Sequence, residues 1–310
     1  MIDWKYIHTE PLEALTDSGT IQQLCDQFQI KPTRGAGQNF LIDPSILDEM
    51  LEAAEIKKSD SVLEIGSGFG ALTIALAQKA KQVIAVEKDP RIFEALAKIV
   101  ESHKNVKLVQ GDILKIPNYQ LPIPNLHNPS MPPLILRGGD DFDPPLKLRG
   151  GRGSYENYKL VANLPYSITS AVLRRFISPS PSSPPIEGGE MDGRPKLLVV
   201  MVQKEVAERV CAQPGEMSLL SVAVQFYAKP EIVRIVPRSA FWPEPEVESA
   251  ILRIVMHQKP LTLVLSPEGR GSKGEGENLE KKFFQIVRIG FSSRRKQLQN
   301  NLAAGLHISN

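Results

Sequence analysis

Only two cysteines, Cys25 and Cys211, occur in the 310 residues, and they lie far apart. Neither a disulfide framework nor a cysteine-based metal site can be built from them, and buried or half-buried thiols are expected. Long apolar runs are missing too, so no segment has the length of a membrane span. Residues 1–20 carry four carboxylates and one lysine. They lack the basic and apolar regions of a signal peptide and the Arg-rich character of a transit peptide, so a cytoplasmic protein is expected. Carboxylates are absent from residues 281–310, which hold Lys281, Lys282, Arg288, Arg294, Arg295 and Lys296. The net charge of +2 hides this asymmetry. A basic end of this kind suggests an anionic partner, nucleic acid first; the plainer alternative is a solvated helix face.

What is present fits a globular protein. Apolar residues make up 42% and charged residues 23% of the chain, and its length allows a full α/β core with a small second domain. Residues 20–30 read as a helix with Ile21, Leu24 and Phe28 on one face, ended by Pro32 and Gly35. Residues 44–55 read as another, with Asp43 as cap and Pro44 in the first turn. Strand and helix then alternate: SVLEIG, ALTIALAQKA, QVIAVEKD, PRIFEALAKIVESH, VKLVQGD. Continuous apolar strands with helical crossovers predict a parallel sheet covered on both faces. YKLVAN and LLVVMVQ read as further strands, KEVAERVCA as a helix, and LSVAVQFYA and SAILRIVMH as strands.

Three stretches break the pattern, at about 121–153, 178–195 and 266–277. They are rich in Pro, Gly, Ser and charge, and too poor in apolar groups to offset the entropy of ordering. Disordered surface insertions are expected. The first contains PPL-x-LRGG twice, which also suits an RNA-binding arm, although carboxylates are interleaved.

The chemistry concentrates at strand ends. VLEIGSGFGALT sets Gly66, Gly68 and Gly70 between a strand and a helix. Glycines so spaced let the backbone turn sharply and approach a bound molecule. Gly66, Gly68 and Ala71 also satisfy a dinucleotide fingerprint. Glu87 ends the next strand, where a carboxylate can accept from a ribose diol. Asp112 ends the third, placed to accept from an adenine amino group. VANLPYSITS decides between a dinucleotide and a methyl donor. Adenine N6 is a poor nucleophile because its lone pair is delocalised into the ring. The Asn163 side-chain carbonyl and the Leu164 backbone carbonyl can hold its two N–H groups and turn the lone pair towards a donor. Pro165 stiffens the turn, and Tyr166 offers a face for an extruded base. A nicotinamide enzyme has no use for this set.

GQNFLID, VLEIGSGFGALT, VEKD, GDIL, ANLPYSITS, MVQKEVAERV, FWPEPEVESAILRI and FSSRRKQLQNNL, in that order, resemble the KsgA/RsmA family. The resemblance runs from about Ile21 to Leu306, interrupted by the three stretches. It implies a Rossmann-like methyltransferase domain over 21–258 and a small C-terminal helical domain over 259–310, with residues 1–20 as an extension lacking a family counterpart. It implies S-adenosylmethionine as cofactor and dimethylation of N6 on two adjacent adenosines near the 3′ end of small-subunit ribosomal RNA. The small ribosomal subunit is the implied partner; a monomer that needs no metal is expected. By the same resemblance Asn39 and Leu41 border the methionine moiety with Gly66 and Gly68, Glu87 binds the ribose, Asp112 the adenine and Asn163 the amine. Phe241 becomes a second stacking face. Arg294, Arg295 and Lys296 are candidate RNA contacts.

The departures are a thin basic cluster in KPTRGAG, a short loop after Gly215 and an early C-terminus, so a truncated helical domain is expected. The rivals are the large-subunit adenine dimethyltransferases of macrolide resistance, a ribosome-assembly factor without catalysis, and a nicotinamide dehydrogenase.

Overall fold

The structure, a computed structural model, describes residues 2–32, 38–116, 121, 123, 158–178, 194–257, 273–293 and 300–302. Arg294, Arg295 and Lys296 lie outside the described residues, as does most of each low-complexity stretch.

The helices are α1 (Trp4–Thr9), α2 (Pro11–Thr16), α3 (Ser18–Gln27), α4 (Pro44–Ala53), α5 (Ala71–Lys79), α6 (Pro90–Ile99), α7 (Thr169–Ile177), α8 (Lys204–Val210), α9 (Leu219–Tyr227) and α10 (Lys273–Gly290). The strands are β1 (Phe40–Leu41), β2 (Ser61–Ile65), β3 (Gln82–Glu87), β4 (Val106–Gln110), β5 (Tyr158–Asn163), β6 (Leu197–Gln203), β7 (Ala228–Val236), β8 (Phe241–Trp242) and β9 (Ser249–Met256). Caps appear where the sequence places them: Asp43 Oδ1 accepts from the Ser45 N–H at 2.9 Å ahead of α4.

Seven strands form one sheet in the order β4-β3-β2-β5-β6-β9-β7. The pairs from β4 through β6 are parallel. The sheet is nevertheless mixed, because β9 runs antiparallel to both β6 and β7. Both faces are covered. In β6, Leu198, Val200 and Val202 enter one core cluster with α7, α8 and α9. Leu197, Val199 and Met201 enter another with α4 and α5. That alternation is why the strand reads as a continuous apolar run.

Three expectations are corrected. LSVAVQFYA is mostly helix α9, not a strand. Ser218 and Ser221 cap it reciprocally, and periodicity alone cannot separate a short apolar strand from a buried helix. The strand follows instead, at β7, a sheet edge that tolerates Pro230. Leu121 and Ile123 are buried in the first core cluster, so the insertion begins after them. The third stretch gives its last residues to the start of α10, from Lys273. Farther along that helix, Phe283 stacks on Phe226 of α9 with centroids 4.8 Å apart.

The domain boundary drawn at residue 20 falls inside α3. Ahead of it, Ile2, Ile7, Ala14 and Leu15 are buried in a third cluster with α6. Arg194 Nη1 donates to the Ile177 carbonyl at 3.0 Å, which draws together the two ends of the stretch 178–195.

At the end of the sheet opposite the glycine loop, Asp60 ties strands together. Its carboxylate, 5% exposed, meets Lys159 of β5 at 2.8 Å and Lys196 at 3.0 Å. Lys159, equally buried, also donates to the Glu55 carbonyl at 2.5 Å. Burial alone raises the Asp60 pKa, but hydrogen bonds from Lys159, the Lys57 N–H and Lys196 outweigh it and the net shift is down. Removing one partner of a buried pair leaves the other charge uncompensated. Asp60→Ala should therefore destabilise the protein by about 3 kcal/mol in denaturant unfolding. A loss under about 1 kcal/mol would show that the Lys159 ammonium finds water or another acceptor.

Candidate active site

The chain leaves β2 to build β3 and β4 on one side, then returns to lay β5 on the other side of β2. Helices on both sides must diverge at that reversal, and they leave a crevice beyond the carboxyl ends of β2 and β5. A cavity of about 580 Å³ occupies it, lined by the ends of all four strands: Gly66, Glu87, Asp112 and Asn163.

The glycine loop closes one wall. Gly66 has φ +70°, and a Cβ there would stand 3.1 Å from Pro165 Cδ. The close approach of the two loops thus leaves a side chain at Gly66 little room, and the left-handed backbone there also favours glycine. At Gly70, φ +95°, a Cβ would meet Leu96 at 2.6 Å. Gly68 donates its N–H to Glu87 Oε2 at 3.0 Å. The N–H groups of Lys88 and Asp89 hold Oε1 at 2.8 and 2.9 Å. Three donors fix this buried carboxylate, yet its two oxygens retain acceptor sites. Burial raises its pKa against the pull of those bonds. Asp112 is partly committed: Oδ1 accepts from the Leu114 N–H at 3.0 Å and Oδ2 pairs with Lys88 at 3.0 Å.

Asn163 Nδ2 donates to the Asn39 carbonyl at 3.2 Å. That bond orients the amide. Among the described residues no hydrogen bond is made to Asn163 Oδ1, which is left to accept from a ligand. Asn39 and Leu41 also line the cavity, carried there by the pairing of β1 with β8. Leu164 is buried, with its N–H on the Met201 carbonyl at 3.2 Å. Tyr166 is half-buried, and its hydroxyl lies 2.7 Å from Ser249 Oγ. Ser249 is fully buried at the head of β9.

Phe241 is a correction. Its ring is 3% exposed within the second core cluster, opposite Leu41 in the register of β1 and β8. It therefore presents no open stacking face in this structure.

Glu64 is the residue sequence reading missed. Its signal was a lone carboxylate inside the apolar strand before the glycines. It lines the cavity at 1% exposure and accepts from Thr73 Oγ1 at 2.6 Å. Burial pushes its pKa up to about 8. Asp89 and Asp112 have Arg91 and Lys88 as counter-ions; among the described residues no cation stands against Glu64 or Glu87. Such a cavity suits a cationic ligand with a ribose diol and an amino group to donate. It does not suit the pyrophosphate of a dinucleotide, which would lie at the glycine loop beside Glu64. The cradle thus fits the sulfonium cofactor that the sequence motifs imply.

A family model described as ribosomal RNA adenine dimethylase matches residues 29–309. Ribosomal RNA small subunit methyltransferase A of Dehalococcoides mccartyi (strain CBDB1) is 40% identical over 288 residues, 93% of this chain and 80% of that protein. The crystal structure of a dimethyladenosine transferase from Plasmodium falciparum matches with a TM-score of 0.58 at 28% identity, covering 86% of this chain and 77% of that one. The 23S rRNA methyltransferase ErmE also gives 0.58, at 26% identity over 86% of this chain and 84% of its own.

The raised pKa of Glu64 has a consequence for the free protein. The folded state holds this proton more tightly than the unfolded chain. Its contribution is fully present below the ordinary value of 4.5 and is lost as pH rises to about 8. The melting temperature of Glu64→Gln should therefore fall less between pH 5 and pH 8 than that of the wild type. Parallel pH profiles would show that Glu64 ionises without penalty.

Proposed function

Because the chain belongs to the ribosomal RNA adenine dimethylase family, whose model spans residues 29–309, we propose that it methylates N6 of two adjacent adenosines near the 3′ end of small-subunit ribosomal RNA. S-adenosylmethionine supplies the methyl group. The observation that carries the reading is the Asn163 amide, whose nitrogen is engaged by the Asn39 carbonyl while its oxygen faces the cavity. Asn163 Oδ1 and the Leu164 carbonyl accept the two N–H groups of the adenine amine and turn its lone pair inward. Both acceptors are neutral, as suits an amine that gains positive charge and afterwards releases a proton. Glu87 holds the ribose diol, Asp112 the adenine amino group of the cofactor, and Glu64 adds a carboxyl group to the wall. Tyr166 gives the base a face to lie on, with Ser249 fixing its hydroxyl.

The 40% identity to a small subunit methyltransferase, against 26% to ErmE, favours the small-subunit RNA. An intact set of acceptors on the rim argues against a purely structural assembly factor. Work on ribosomal RNA supports a cytoplasmic location, with the basic residues Arg294, Arg295 and Lys296 as candidate phosphate contacts.

The direct test incubates small subunits lacking the modification with labelled cofactor and maps the labelled nucleotides by mass spectrometry. Two adjacent dimethyladenosines near the 3′ end are expected; label in large-subunit RNA would move the assignment to the other branch. Asn163→Ala should lower the rate on the order of 10²- to 10³-fold, by analogy with loss of one preorganised polar group, with cofactor affinity nearly intact. Glu87→Ala should do the opposite and chiefly raise the cofactor Kd. If calorimetry shows unchanged affinity for Glu87→Ala, the carboxylate is only a strand-end charge.

A further inference from the structure

The cavity has a wall that the family match does not include. Leu15 of α2 and Ile21 of α3 both line it, and both precede residue 29, where the matched span begins. They stand with Phe40, Phe69 and Ile92 on its apolar side, and Phe40 and Phe69 stack at 4.7 Å. Leu15 and Ile21 are almost wholly buried, so the wall is packed and not draped over the opening.

The helices are anchored well enough to hold that wall in place. Residue Leu12 touches both the second and the third core clusters. Helix α2 packs against α1, α3, α4 and α5, the last being the helix that the glycine loop initiates. Trp4 meets Phe28 edge-on at 6.4 Å, and the His8 ring lies 3.2 Å from the Lys98 carbonyl on α6. The segment is thus fastened to the elements on either side of the glycine loop and of Glu87.

We infer that the N-terminal helices take part in the cofactor site through Leu15 and Ile21, positioning residues that back its apolar side. This rests on the reading of the cavity as the S-adenosylmethionine site. Apolar closure there keeps water from that side of the cavity, where a lower local dielectric strengthens the hydrogen bonds that Glu87 offers a ribose.

The experiment is calorimetric titration of the full-length protein with S-adenosylmethionine, with circular dichroism on every variant. Leu15→Ala is compared with Ile7→Ala, because Ile7 is as deeply buried in the same cluster but does not line the cavity. Ile21→Val is compared with Ile7→Val, a milder pair that decides the matter if Leu15→Ala does not fold. The expected result is a Kd raised roughly tenfold by Leu15→Ala, within the range that lost apolar contact in a pocket commands. A smaller rise in the same direction is expected for Ile21→Val, and affinities within twofold of wild type for both Ile7 variants. Cavity-lining variants that bind as tightly as wild type, or Ile7 variants that lose as much, would overturn the inference. Wild-type protein that binds no S-adenosylmethionine would overturn the assignment of the cavity itself, a distinguishable failure.

Discussion

Strand β2 is paired in parallel with β3 on one side and β5 on the other, and the rest of the site depends on that pairing. The two neighbours are reached by crossovers in opposite directions. The reversal opens the crevice, and the strand ends deliver Gly66, Glu87, Asp112 and Asn163 to it without any loop having to reach far. The fit is tight enough that Pro165 would stand in contact with any side chain at Gly66. The glycine loop and the loop that carries Asn163 and Pro165 therefore constrain each other.

Charge then selects what the crevice holds. Glu64 and Glu87 are buried where a phosphate would need donors, and their desolvation is an unfavourable term in the free protein. A cationic ligand offsets that term, so the cost of burying the carboxylates becomes selectivity for the ligand. The same logic separates the two ends of the sheet. At the far end Asp60 is compensated internally by Lys159 and Lys196; at the cavity end compensation is left to the ligand.

Much of this was legible because the chemistry demands particular residues. A positive φ and a close contact ask for glycine, so GSGFG stood out. Glu87 and Asp112 stood out because strand ends define the rim of a parallel sheet. Asn-Leu-Pro-Tyr stood out because it sets an amide and a stiff proline turn directly after a strand end. What was missed has equally physical causes. Residues 219–227 are apolar enough to serve as helix or strand, and only the serine cap and packing against α7 and α8 decide it. Leu121 and Ile123 are two isolated apolar positions beside a low-complexity run. The N-terminal helices are short and acidic, and nothing in their sequence marks Leu15 and Ile21 as residues that line the cavity. Phe241 was assigned from a motif and a resemblance, and neither carries information on burial.

The central claim is that a carboxylate-walled crevice at the reversal point holds a cationic adenosyl cofactor. Its most direct test is parallel calorimetric titration of the unmodified protein with S-adenosylmethionine and with NAD at the same pH and salt. Saturable one-to-one binding of S-adenosylmethionine with no detectable heat from NAD is the predicted result. Comparable binding of NAD, or preference for it, would contradict the account.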